Sequence, residues 1–346
     1  MTLVKTLAAT ALAACAAVLP SAVAAHPAAA PAAGGSIVYV KGGKLWIASP
    51  DGRVQRRVPH AGAFESPSQS DSGMIVAQRG VQFFRLDRAG RQLGQPITTA
   101  YRTNPVLKDF RGPFWPQVSP DGTRIAYTYF FQLSHYDPEC ACTRVTPSLN
   151  TSYTYASREV ARPDTTFGNP GFYSKPSWID NRTVLMTTQS FTDFSGTYLN
   201  STAVHLVGAA GDKSYRQWFS ECVEGCDQAH TARLFHLDDG EMTRQRNRMA
   251  FVSGAAGSRE VGSRLLLYAV TAQPTARPGA PCHYTQRSGK LSSPTWSPDG
   301  KSLAWADARG VWVGRVDSIE GETCRVTRRL IAPGGSSPDW GPAPLR

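Results

Sequence analysis

The sequence is short of charge: Asp, Glu, Lys and Arg together make up 18% of its 346 residues. It contains no heptad run. Beyond residue 25 no stretch approaches the roughly twenty apolar residues that cross a bilayer as a helix. These gaps exclude a coiled coil and a transmembrane helix in the mature chain. The familiar catalytic signatures are missing as well: there is no Gly-x-Ser-x-Gly elbow, no His-Glu-x-x-His and no EF-hand loop. What is abundant is 31 Gly, 25 Pro and 10% aromatics. Because Gly and Pro are costly in helix interiors, that mixture favours short strands joined by tight turns.

The first 25 residues differ in kind from the rest. Lys5 precedes an apolar Ala/Leu-rich stretch from Thr6 to Leu19, Pro20 breaks it, and Ala22-Val23-Ala24 supplies the small-x-small pattern of a signal-peptidase site. Residues 1–25 are therefore expected to be an export signal, cleaved after Ala24 or Ala25. The competing reading is a lipobox, Leu12-Ala13-Ala14-Cys15, which would anchor the chain at Cys15; the short apolar run before it argues the other way. Residues 26–35 are an Ala/Pro/Gly-rich leader without core residues. Residues 36–342 form the folded domain and 343–346 a tail. The expected destination is secreted or extracytoplasmic.

Six cysteines follow the signal: Cys140, Cys142, Cys222, Cys226, Cys282 and Cys324. An even number in an oxidising compartment favours disulfides, and six allow fifteen pairings. The net charge is +11. Export and the scattering of the basic residues argue against nucleic acid. Anionic wall polymer or phospholipid headgroups are the electrostatic partners such a surface would meet outside the cell.

Internal repetition decides the fold class. Pro116-Gln117-Val118-Ser119-Pro120-Asp121-Gly122 leads into Thr123-Arg124-Ile125-Ala126-Tyr127, and Pro294-Thr295-Trp296-Ser297-Pro298-Asp299-Gly300 leads into Lys301-Ser302-Leu303-Ala304-Trp305. Weaker copies start at Pro67, Pro176 and Pro338. In the Ser-Pro-Asp-Gly turn Pro presets φ, Asp bonds nearby amides and Gly takes the left-handed position. An aromatic-bearing strand enters the turn and an alternating apolar strand leaves it. Third strands are expected at 44–48, 81–86, 204–207, 265–270 and 311–316, and fourth strands at 53–58 and 325–331. Ser49-Pro50-Asp51-Gly52 has the same letters but falls between a third and a fourth strand. Four antiparallel strands every 45 to 60 residues or so is blade spacing. The gap between Pro176 and Pro294 calls for one degenerate blade, starting near Leu234-Phe235-His236 and continuing through Met249 to Val252. Ile37 to Val58 lack a first strand, and Ser336 to Trp340 is a first strand without successors. The expectation is an all-β propeller of about six four-stranded blades, its ring closed by the C-terminal strand.

The Pro-x-Trp-Ser-Pro-Asp-Gly unit with its Ile/Leu-Ala-aromatic strand resembles the TolB-like (WD40-like, PD40) propeller repeat. The resemblance implies the fold more than any function, because no α/β domain precedes the repeats as it does in TolB. TolB-like propellers also occur attached to prolyl-oligopeptidase-type hydrolases, but too little sequence remains here to hold such a domain.

No cofactor or metal is expected. Gly300-Lys301-Ser302 looks like the end of a phosphate loop, yet Thr295 stands where that motif needs Gly. Some propeller polysaccharide lyases resemble this repeat and hold a metal in the channel, which draws attention to His230, His236, Asp238 and Asp239; a strand and a loop histidine in a degenerate blade explain them equally. A four-thiolate zinc site from Cys140, Cys142, Cys222 and Cys226 has poor spacing. Those two pairs are instead expected to staple neighbouring loops across one face, with Cys222–Cys226 as the local alternative. Cys282 and Cys324 look like equivalent positions in adjacent blades and are expected to lie far apart, although elimination pairs them.

Long segments at 132–151, 162–173 and 190–201 gather on that same face. They carry Tyr136, Phe167, Phe172, Phe191, Phe194 and Tyr198, the expected partner-binding surface. Trp178, Trp296, Trp305 and Trp312 sit at repeat positions and are assigned to the core. The function these features support is a monomeric, non-catalytic interaction or scaffold module with an unknown protein partner. The alternatives are a glycan lyase or hydrolase with a channel metal, and a binder of wall polymer or carbohydrate.

Overall fold

A computed structural model of the chain describes residues 34–98, 107–155, 165–167, 172–173, 175–190, 200–208, 215–224, 237–253, 264–270, 277–286 and 290–345. Among these residues there are strands and turns and no helix. Alternating apolar residues set each strand, and Gly or Asp at the turns reverses it. In β1 (Ser36–Lys41), β2 (Lys44–Ala48) and β3 (Gln55–Arg57) the hairpin turns at Gly42-Gly43, both left-handed. A second four-stranded sheet follows: β4 (Glu65–Gln69), β5 (Ile75–Arg79), β6 (Gln82–Leu86) and β7 (Ile97–Thr98). The third comprises β8 (Leu107–Val118), β9 (Arg124–Asp137), β10 (Cys142–Tyr155) and β11 (Thr165–Phe167). The fourth holds β12 (Phe172–Tyr173), β13 (Ser177–Trp178), β14 (Thr183–Ser190), β15 (Asn200–Gly208) and β16 (Tyr215–Glu224). The fifth is β17 (Asp238–Met242), β18 (Arg248–Ser253), β19 (Arg264–Ala269) and β20 (Cys282–Thr285). The sixth is β21 (Ser292–Trp296), β22 (Ser302–Asp307), β23 (Gly310–Ser318) and β24 (Arg325–Pro333). Finally β25 (Gly335–Gly341) pairs antiparallel with β1, completing the first sheet in the order β25-β1-β2-β3.

The described residues thus form six antiparallel sheets in a propeller arrangement, each a meander in chain order. Hydrophobic side chains fill the space between consecutive sheets rather than a central core. Val38, Ile47 and Phe64 meet Ile75 and Phe84 between the first and second; Phe83 meets Tyr127 between the second and third. Leu185 and Phe219 meet Phe251 and Tyr268 between the fourth and fifth, and Leu267 and Tyr284 meet Trp296 and Trp305 between the fifth and sixth. Ile37 and Tyr39 pack with Val311 and Ala304 between the sixth sheet and the first.

Several sequence expectations need correction. The degenerate sheet begins at Asp238, not near Leu234; residues 231–236, with His236, lie outside the described residues, as does His230. Residues 132–151 are not an irregular loop. They continue β9 and β10 into a hairpin paired without interruption from Arg124–Tyr155 to Asp137–Cys142. Cys282 and Cys324 are not far apart but bonded to each other, with Cα atoms 5.0 Å apart. The reason is local: the connection before β24 swings across to β20, where His283 N–H donates to Glu322 O (2.8 Å) and Cys324 N–H to His283 O (2.9 Å). Cys140 is bonded to Cys142 across the β9–β10 turn, so neither staples a neighbouring loop. Cys222 falls inside β16 and Cys226 outside the described residues. Trp178 is only half-buried, whereas Trp296, Trp305 and Trp312 are buried as expected.

Candidate functional site

The innermost strands are β25, β4, β8, β13, β17 and β21, and the repeat places one residue of each at the same register: Asp339, Ser68, Gln117, Ser177, Glu241 and Thr295. This is the second position of Pro-x-Trp, and it has a consistent task. Its side chain accepts a hydrogen bond from the backbone N–H one position further along in the next sheet. Asp339 Oδ2 accepts from Gln69 N (2.7 Å), Ser68 Oγ from Val118 N (2.8 Å), Glu241 Oε1 from Trp296 N (2.8 Å), and Thr295 Oγ1 from Trp340 N (3.0 Å). The following residue returns a bond. Trp178 Nε1 donates to Gln117 O (2.7 Å), Trp296 Nε1 to Glu241 O (3.3 Å) and Gln69 Nε2 to Asp339 O (2.8 Å). The repeat's tryptophan therefore ties adjacent inner strands as well as filling space. Buried strand edges facing the axis would otherwise leave amides unpaired at about 1–3 kcal/mol each.

Two residues earlier each inner strand bulges. Ser66, Trp115, Asp239, Ser293 and Ser337 all have φ between 42° and 51°, and the ladder shifts register at each. Serine and aspartate tolerate this conformation, but a bulky aromatic there is an outlier. Trp115 is 37% exposed, on the side of the ring away from the Ser-Pro-Asp-Gly turns. Lys175 holds the matching position before Ser177 and is 9% exposed.

The axis is electrostatically unusual. Burial, reinforced by the charge of Asp339, pushes the Glu241 carboxyl up to about 7, against the opposing pull of Lys175 and of the bonds from Trp296 and Thr295. Burial likewise raises Asp339, opposed by Lys175, the Gln69 amide and Arg244. On the turn side the channel opens as a cavity of about 290 Å³ lined by Gln117, Trp178, Asn181, Glu241, Trp296 and Asp339, among others. Two ion pairs cross its mouth. Arg244 grips Asp71 with both terminal nitrogens, and Arg246 Nη2 meets Asp180 Oδ2 at 2.6 Å. Arg244 and Asp71 come from the fifth and second sheets, so the first pair spans the opening.

No family model matches the chain, and no curated protein does. Solved structures match. TolB from Acinetobacter baumannii superposes on 88% of this chain with a TM-score of 0.50 at 17% identity. The chain has a TolB-like β-propeller fold. It spans 66% of the length of the Acinetobacter protein. A putative TolB from Agrobacterium tumefaciens matches at TM-score 0.45 and 14% identity, over 88% of this chain and 91% of that one. The Pyrococcus horikoshii acylaminoacyl peptidase matches at 0.45 and 11%, over 83% of this chain and 41% of the peptidase.

Within this TolB-like propeller the residues expected at the partner face do not form one described cluster. Tyr136 stands 66% exposed near the tip of the β9–β10 hairpin. Phe167 lies in β11 and Phe172 in β12, while Phe191, Phe194 and Tyr198 lie outside the described residues. Sequence reasoning missed the mouth, on the opposite side of the ring, and with it Glu241, Arg244, Arg246 and Lys175. The signal was there: Thr243 to Asn247 precede the strand at Met249 by the interval that separates Ser297 to Lys301 from Leu303. Asp238 and Asp239 fall in β17, where Asp239 Oδ2 accepts from Ser293 N (3.1 Å). Among the described residues no cluster of three His, Cys, Asp or Glu side chains is arranged to hold a metal ion.

Proposed function

We propose that this chain is an exported propeller of six blades in a closed ring that binds a protein partner without transforming it. The six sheets and the β25–β1 pairing support the closed ring, and the two disulfides fit an oxidising destination. The observation that carries the binding role is the channel mouth, a cavity whose rim is drawn from separate blades and bridged by exchangeable Arg–Asp pairs. An acidic segment of a partner replaces Asp71 and Asp180 at Arg244 and Arg246, and the half-exposed Trp178 supplies apolar contact. The blade-three side, with Tyr136 and Trp115, is the second surface such a partner could touch.

The test is photo-cross-linking of the mature protein in envelope and culture fractions, with the reactive residue at Arg244 or at Tyr136. One protein recovered from position 244, and lost in an Arg246→Glu variant, is the expected result. A partner recovered only from position 136 would move the site to the opposite face, and recovery of salt-released wall polymer alone would replace a protein partner by an anionic polymer, the reading that the net charge of +11 favours. An enzyme acting on glycans from the channel rests on Glu241, whose carboxyl near 7 has the protonation of a general acid. Glycan turnover abolished by Glu241→Gln would establish it. The bonds that Glu241 already accepts from Thr295 and Trp296 favour a structural task.

A further inference from the structure

The molecule's two described disulfides have opposite settings. Cys282 and Cys324 are 0% and 4% exposed, and their bridge joins residues 42 apart in sequence. Cys140 and Cys142 are both exposed, two residues apart, at the tip of the β9–β10 hairpin. A bridge over two residues constrains the unfolded chain very little, so it contributes little to stability. Nor does the hairpin depend on it, because β9 and β10 pair all the way from the propeller to Asp137–Cys142. Ala141 between the cysteines is held at φ 49°, the left-handed region that costs a residue with a Cβ about 1–2 kcal/mol. An exposed bridge whose short ring keeps a strained residue in place, and whose opening leaves the fold intact, has the setting of a labile disulfide rather than a structural one.

We propose that Cys140–Cys142 is a thiol-exchange site presented at the end of the hairpin, with exposed thiols as its substrates. A thiolate attacks one of the two sulfurs; the Cys140–Cys142 bond breaks, a mixed disulfide forms and the other cysteine leaves as a thiolate. A second thiol then attacks the mixed disulfide. Two substrate thiols thereby lose two electrons and two protons to become one disulfide, and the cysteine pair takes them up as a dithiol. The steps reverse when the attacking species is a disulfide and the hairpin is reduced. Tyr136, exposed beside the pair, provides an apolar contact for the substrate.

The test titrates the folded full-length mature protein with glutathione redox buffers and, separately, with a single-cysteine peptide. Free thiols are blocked at each point and every cysteine is mapped by mass spectrometry. The expected result is that Cys140 and Cys142 become alkylated together at a thiol concentration at least about ten-fold below that needed to open Cys282–Cys324. The thermal transition should stay in place. A Cys140→Ser variant should accumulate a glutathione mixed disulfide at Cys142. Faster exchange with the peptide than with glutathione identifies protein thiols as the substrate, and the reverse identifies a small thiol. The proposal is overturned if the two bridges open together only as the protein unfolds. It is overturned equally if Cys140 and Cys142 are recovered in bridges to other cysteines.

Discussion

The sixth sheet and the fifth are built on the same plan from different chemistry. At the β21–β22 turn Ser297 Oγ donates to Asp299 (2.6 Å) and accepts from Ser302 N (2.9 Å), while Gly300 takes φ 68°. At the β17–β18 turn Thr243 stands for the serine. Its hydroxyl donates to Asn247 (2.9 Å) and accepts from Arg248 N (3.2 Å), and Arg246 occupies the glycine position at φ 55°. The backbone bond that closes the turn is 2.8 Å in both: Gly300 N to Ser297 O, and Arg246 N to Thr243 O. What the fifth sheet gives up in turn chemistry it recovers as reach, since both arginines that pair across the mouth sit in this one turn. A repeat can thus drift furthest from its consensus where its side chains have taken another task, provided a hydroxyl and a left-handed residue remain.

The largest effect that would break this comparison is at the inner strands. Trp296→Ala removes buried packing and the bond to Glu241 O, and should cost about 3–5 kcal/mol in urea denaturation. Met242→Ala, at the matching place, has no N–H to lose and should cost less; equal losses would mean that the indole's bond adds nothing. Next comes pH. The folded chain holds a proton on Glu241, raised from 4.5 to about 7, that the unfolded chain releases. This contribution is fully present below about pH 4.5 and fades as pH rises through about 7. Glu241→Gln should flatten that decline in a pH series of denaturation midpoints, and an unchanged slope would clear Glu241 of the effect. Smaller still, Gly300→Ala forces a Cβ into the left-handed region and within 2.8 Å of Gln245 Oε1, for about 1–2 kcal/mol. Arg246→Gly relaxes the same position but loses the pair with Asp180, so the net change should stay under about 1 kcal/mol. Smallest is Arg244→Ala, also under about 1 kcal/mol because the pair with Asp71 is solvent-exposed, yet it should weaken cross-linking of the partner at the mouth.

The repeat was legible because its turn demands particular residues. Pro, Asp and Gly at 120–122 and 298–300 announce hairpins whatever surrounds them, and the third strands at 44–48, 204–207 and 311–316 lie within β2, β15 and β23. The fifth sheet's start was misplaced because Thr243 and Arg246 satisfy the same geometry without those letters. Glu241 could not be recognised as an inner residue until the register of β17 was known. The hairpin at 124–155 was hidden for another reason: beyond Tyr129 its strands leave the blade and lose the apolar alternation that packing imposes. Disulfide partners depend on where connections travel, and the excursion before β24 that brings Cys324 to Cys282 has no turn signal of its own.

Ring closure by side chain-to-backbone bonds is tested most directly by native-state hydrogen exchange of four amides: Gln69, Val118, Trp296 and Trp340. Gln69 and Trp340 flank β25, where the C-terminal strand meets the second and sixth sheets. A closed ring predicts that all four exchange only through global unfolding, with one common protection. Fast exchange at Gln69 and Trp340 beside full protection at Val118 and Trp296 would show a ring open at its seam and contradict the closed propeller.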